Sequence, residues 1–147
     1  MTVTFCGHRN IAGEVDIADF LKEKLQALIT DGADKFLLGG YGAFDQLAAH
    51  VLKELKTAFP TIKITLVIPY LDRDFNHELY DGSVYLPLED VPKRFAISKR
   101  NEWMVDQSDV VVSYVKYDWG GAYTTLEYAK RKRKKIWITM MYSQRKK

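Results

Sequence analysis

Short apolar runs alternate with longer stretches of helical periodicity along the whole chain, and no other feature narrows the possible folds so far. TVTFC at 2–6, KFLLGG at 35–40, KITLVI at 63–68, DVVVSYV at 109–115 and KIWITMM at 135–141 read as buried strands. Between the first two, residues 14–31 carry Val15, Ile17, Ala18, Leu21, Leu25, Leu28 and Ile29 at helical spacing, with Gly32 as the stop. Residues 43–58 repeat the pattern through Phe44, Leu47, Ala48, Val51, Leu52 and Leu55, and further helices are expected over 93–107 and 122–133. Strands that are apolar on both faces and joined by helices predict a doubly wound α/β fold: a mainly parallel, five-stranded sheet covered on both sides. Residues 70–92, rich in Asp, Asn, Gly, Pro and Tyr, are expected to form one long irregular loop, a kind of segment that more often binds than merely connects.

At 147 residues the chain is expected to be a single domain over 1–147. It has no apolar run long enough for a membrane helix, so no membrane partner is expected. MTVTFCGH lacks the basic start and apolar stretch of a signal peptide, and Cys6 is the only cysteine, which together predict a reducing, cytoplasmic setting. The net charge of +3 conceals an asymmetry: nine of the 22 Lys and Arg lie in residues 130–147 with no Asp or Glu, leaving 13 basic against 19 acidic groups before them, a net of −6. Such a tail can contact nucleic acid, although cations closing a predicted helix also complement its negative pole.

In an open α/β sheet, ligands settle beyond the carboxyl ends of the strands, where the strand order reverses. The segments that fall there are Gly7, His8 and Arg9; Gly39, Gly40, Tyr41, Gly42 and Asp45; Pro69 and Tyr70; and Trp119, Gly120, Gly121, Ala122, Thr124 and Thr125. All are candidate ligand-binding residues, with Asn101 beside them on the helix over 93–107. Glycines there let a ligand approach the backbone, and the N–H groups of the helix start after Gly121 suit an anion. Arg100 lies between Ile97 and Met104 on or beside an apolar stripe, so either a carboxylate within the fold or a ligand phosphate must meet its charge. Neither glycine segment matches the dinucleotide fingerprint or the Walker pattern, and no cofactor is expected. His8, and His77 with Asp72, Asp74, Glu78 and Asp81, match no established ligand spacing, so no metal site is expected.

TFCGHR, LLGGYGAFDQLAA and ISKRNEWMVDQSDVVVSYV resemble the signatures of the SLOG superfamily of Rossmann-like nucleotide-binding proteins, and within it the small bacterial and phage YpsA-like proteins. In the Lonely Guy phosphoribohydrolases of that superfamily, the helix carries a pattern similar to M-x-x-R-K and the glycine turn reads P-G-G-x-G-T-x-x-E. Carried over, the helix arginine falls on Arg100, and GGAYTTLE laid on the turn puts its glutamate on Glu127. The resemblance implies a cleft for a nucleotide or nucleotide-derived molecule and, as in relatives that pair through helices beside the site, a homodimer. Three functions stay open. The favoured one is a noncatalytic sensor or sequestering protein. The second is a hydrolase of the N-glycosidic bond of nucleoside monophosphates, with Arg100 holding phosphate or orienting the carboxylate and Glu127 stabilising the oxocarbenium charge. The third is a nucleic-acid module using the basic tail with Arg94, Lys99 and Arg100.

Overall fold

The computed structural model describes residues 1–11, 14–69, 78–88 and 90–140. Its elements run β1 (Thr2–Gly7), α1 (Glu14–Thr30), β2 (Lys35–Leu38), α2 (Gly42–Leu55), β3 (Lys63–Ile68), β4 (Gly82–Tyr85), α3 (Lys93–Gln107), β5 (Val110–Tyr114), α4 (Gly121–Arg131) and β6 (Lys135–Met140). The strands lie in the order β4-β3-β2-β1-β5-β6 and every neighbouring pair is parallel. The Rossmann-like doubly wound architecture is thus present, with six strands in place of the five expected. The additional one, β4, lies inside the stretch expected to be irregular. Its sequence GSVY has only two strong strand formers and is exposed at three of four positions, because an edge strand needs little apolar surface. Asp81 fixes its start by accepting the Ile64 N–H at 2.7 Å and pairing with Lys56.

Side-chain alternation explains the layers. Val3 and Phe5 of β1, with Val110, Val112 and Tyr114 of β5, join the core beneath α1 and α2, which also takes Leu21, Leu25, Leu28, Phe44, Ala48 and Leu52. The intervening Cys6 and Val111 face the other way, onto Val105 of α3 and Leu126 and Ala129 of α4. Gly32, at φ +111°, ends α1 as its periodicity predicts, while the Ala33 N–H returns to Leu28 O at 2.9 Å. Trp103 is half-buried against Leu37, Val67, Leu86 and Met104. Among the described residues, no helix is long and apolar enough to cross a membrane.

Candidate functional site

The strand order reverses between β1 and β5, whose carboxyl ends lie side by side with Gly7 level with Tyr114. Above them opens a cleft of about 350 Å³. Phe5, Cys6 and Gly7 form its floor; His8 and Arg9 enter from β1, Tyr41 and Asp45 from the start of α2, Ile97, Arg100 and Asn101 from α3, and Trp119 to Ala122 with Thr125 from the start of α4. Twelve of the candidate residues named above therefore share one hollow.

The remaining candidates lie around it. Gly39 sits behind Arg100, where an added Cβ would come within 2.7 Å of the guanidinium. The Gly40 carbonyl accepts from Gln46 Nε2 at 3.0 Å, and Gly42 packs against the Arg9 backbone. Pro69 is buried, and Thr124 returns its hydroxyl to Gly120 O at 3.0 Å. Tyr70 lies outside the described residues. So do Asp72, Asp74 and His77; among the described residues, no three His, Cys, Asp or Glu side chains gather as a metal site. Glu127 is not on the cleft wall. Thr125, two residues earlier, is, and two residues of helix turn a side chain through about 200°. Glu127 Oε2 instead lies 3.0 Å from Lys130 Nζ, an ion pair along the outer side of the helix.

Arg100 is 97% buried, its exposure being 3%, and it is held by the protein itself. Nη1 donates to Gly39 O at 3.0 Å, Nη2 and Nε donate to Asn101 Oδ1 at 3.0 and 3.3 Å, and the guanidinium lies 5.3 Å from the Tyr41 ring centre. With its oxygen occupied, Asn101 has its amide N–H pair left to offer the cleft. Beside this assembly, the Asp45 carboxylate accepts the Gly39 N–H at 2.9 Å. Burial pushes Asp45 up to about 6, outweighing the opposing pull of the Arg100 charge and of the Gly39 and Gly40 amides. Among the described residues, the charge the sequence left to either a carboxylate or a ligand meets the Gly39 and Asn101 oxygens, with Asp45 close enough to feel it.

His8 joins the end of β1 to β5. Its backbone N–H donates to Tyr114 O, and its Nε2 accepts the N–H of Lys116 at 2.6 Å and of Tyr117 at 3.3 Å. Two donors at Nε2 require a neutral ring with its proton on Nδ1. Burial, and then the nearby Lys116 ammonium, hold its pKa below the ordinary imidazole value. Cys6, expected as core, is buried, and burial followed by the Asp45 charge pushes its thiol up to about 12, which leaves it inert. Sequence reasoning did not place Phe5, Cys6 and Ile97 on the cleft; for the first two, proximity to the strand's carboxyl end was the available signal.

The start of α4 is the most accommodating wall. Gly120, at φ +92°, is its N-cap and supplies no side-chain cap, and a Cβ at Gly120 or Gly121 would meet nothing within 4 Å. Space therefore remains at a helix pole that attracts negative charge.

An open, wholly parallel, doubly wound sheet with a glycine-walled cleft over its point of strand reversal defines a Rossmann-like α/β domain. The YpsA model, described as the YspA SLOG family, matches residues 10–144, and the chain belongs to that family. Among similar sequences, a UPF0398 protein of Bacillus pumilus is 33% identical over 67 residues, covering 42% of this chain and 36% of its own length. One from Bacillus thuringiensis is 24% identical over 127 residues, covering 76% of this chain and 68% of its own length. In structure the chain is similar to DNA processing protein A from Helicobacter pylori, described for its single-stranded DNA binding mode, with TM-score 0.68, 18% identity, and coverage of 94% of this chain and 64% of the other. That likeness shows the shared fold.

Proposed function

We propose that the cleft binds a nucleotide or nucleotide-derived molecule and that the protein acts as a sensor or sequestering protein, without turnover. The observation that carries this reading is the open N-terminus of α4 in the same hollow as Trp119: an anion seat beside an aromatic plate. Tyr41, Asn101 and Arg9 supply further stacking and polar contacts on the opposing walls. The hydrolytic alternative needs a carboxylate free to face the sugar, and Glu127 is turned toward Lys130, Asp45 accepts the Gly39 amide, and Arg100 is engaged with Gly39 and Asn101.

A nucleic-acid role is the second reading, favoured by the single-stranded DNA binding ascribed to the Helicobacter pylori neighbour. The basic run Lys130–Lys135 begins at the far end of α4, a helix of 11 residues and so about 16 Å long, which separates that charge from the cleft. Thermal unfolding in the presence of nucleoside monophosphates, diphosphates and dinucleotides tests the proposal, with released base followed by chromatography. A saturable rise in Tm without base release is expected. No rise with any compound refutes it, and release of base replaces it with the hydrolase. Affinity confined to single-stranded DNA, falling steeply with salt, would transfer the function to the second reading. The homodimer and the cytoplasmic setting belong to the same proposal, and the molar mass from sedimentation equilibrium distinguishes a dimer from a monomer.

A further inference from the structure

The loop between β5 and α4 is caught by His8 immediately after it leaves the sheet. The imidazole takes two consecutive N–H groups of that loop and also lies against the Tyr117 ring, with centroids 5.1 Å apart. Tyr117 in turn stacks on Trp119 at 4.9 Å with the ring planes 20° apart. A run of three rings thus leads from the end of β1 to the cleft mouth and ends in an indole that is 60% exposed. An aromatic side chain normally hides roughly 150–250 Å² in a core or an interface. Here it is held out on the Tyr117 ring, next in sequence to the glycine start of α4, and both line one hollow. A molecule that covers the indole and fills the anion seat carries a planar ring and a negative group a short way apart.

We propose that Trp119 is the base subsite of the cleft and that His8 is its positioning residue, fixing the loop so that the uncovered indole face receives a nucleobase while the α4 N-terminus receives the attached phosphate. The assignment rests on the nucleotide reading above and adds which part of the molecule goes where. It also sets a preference: a purine overlaps the indole more than a pyrimidine does, so adenosine 5′-monophosphate binds more tightly than uridine 5′-monophosphate. His8 acts through backbone hydrogen bonds, and a glutamine whose Oε1 takes the place of Nε2 as acceptor preserves that function.

Titration calorimetry of the whole chain with adenosine 5′-monophosphate and with ribose 5-phosphate separates base from phosphate binding. Trp119→Ala and His8→Ala are each expected to weaken the mononucleotide roughly 10-fold to 100-fold, the worth of one stacked base, while ribose 5-phosphate binds as before. His8→Gln restores the mononucleotide affinity, and binding to the wild type quenches indole fluorescence. Undiminished mononucleotide affinity in Trp119→Ala overturns the base subsite while leaving the nucleotide reading intact. Equal losses in His8→Ala and His8→Gln, or none in either, overturn the positioning role. A wild type that binds neither compound removes this assignment, while the nucleotide reading falls only when no compound of the thermal panel raises Tm. Should His8→Ala lose its fold by circular dichroism, the Trp119→Ala and His8→Gln arms carry the same decision.

Discussion

Asp45 makes the stability of this protein depend on pH in a direction opposite to that of most carboxylates. It is only 8% exposed, and burial raises its pKa from the ordinary 3.8 to about 6. The folded state therefore holds this proton up to higher pH than the unfolded chain does. The sign follows: the group's contribution is fully present below pH 3.8, declines as pH rises between 3.8 and 6, and is lost above 6. A rise of roughly two pKa units corresponds to about 3 kcal/mol, at about 1.4 kcal/mol per unit. Asp45→Asn removes the ionisation and keeps one acceptor for the Gly39 N–H bonded at 2.9 Å. Any cost of the amide's second, donor end is independent of pH and shifts both limbs equally.

Urea unfolding of the wild type and Asp45→Asn at several pH values from 4 to 7 isolates the effect, because every other titrating group cancels in the difference. The variant should gain about 2.4 kcal/mol relative to the wild type across that range, the first part of the effect lying below pH 4. A flat difference, or one of the opposite sign, would mean that the Arg100 charge governs Asp45, that the carboxylate is already ionised in acid, and that the two form an ion pair. The reasoning from burial would then be wrong.

Arg133 closes α4 at φ +58°, with its N–H on Lys130 O and the Lys134 N–H on Ala129 O, a position that glycine occupies at less cost. Arg133→Gly should stabilise by about 1 kcal/mol in urea unfolding, and destabilisation would show that the exposed side chain contributes to the fold. Gly121→Ala places its methyl in open space, so Tm should hold or rise while adenosine 5′-monophosphate binds more weakly in calorimetry; unaltered affinity would move the phosphate seat elsewhere. Glu127→Ala removes a partly exposed contact with Lys130 and should change stability by less than about 0.5 kcal/mol with nucleotide affinity intact. Loss of affinity in that variant would place Glu127 at the ligand after all.

Periodicity carried most of the architecture. The helix expected over 93–107 coincides with α3 and the strand at 63–68 with β3, because in both the apolar pattern stops where the element stops. β4 escaped because an edge strand of four residues needs neither a long apolar run nor alternation. At the cleft, strand-end glycines pointed to the right segments. What holds those segments left no mark in the sequence: Arg100 is met by the Gly39 carbonyl and His8 by the amides of Lys116 and Tyr117, and every residue type carries those groups. The helical period did contain the separation of Thr125 from Glu127, since two residues on a helix face away from each other.

That separation bears on which chemistry the cleft supports. Stabilising an oxocarbenium ion requires an anion close to the sugar carbon, in a site where little else competes for it. Among the described residues, the carboxylate that lines the hollow is Asp45, tied to the Gly39 amide and bordered by Arg100. Bringing Glu127 there would mean breaking its contact with Lys130 and rotating α4, whose Leu126 and Ala129 are packed against Cys6, Val105 and Val111. Rotation would withdraw those residues from the core and at the same time carry Gly121 and Thr125 away from the wall they form. The proposed anion seat and a Glu127 catalyst thus compete for one helix orientation, and the packed core keeps Gly121 and Thr125 at the wall. A cleft arranged this way suits the proposed binding of a phosphorylated molecule better than its cleavage.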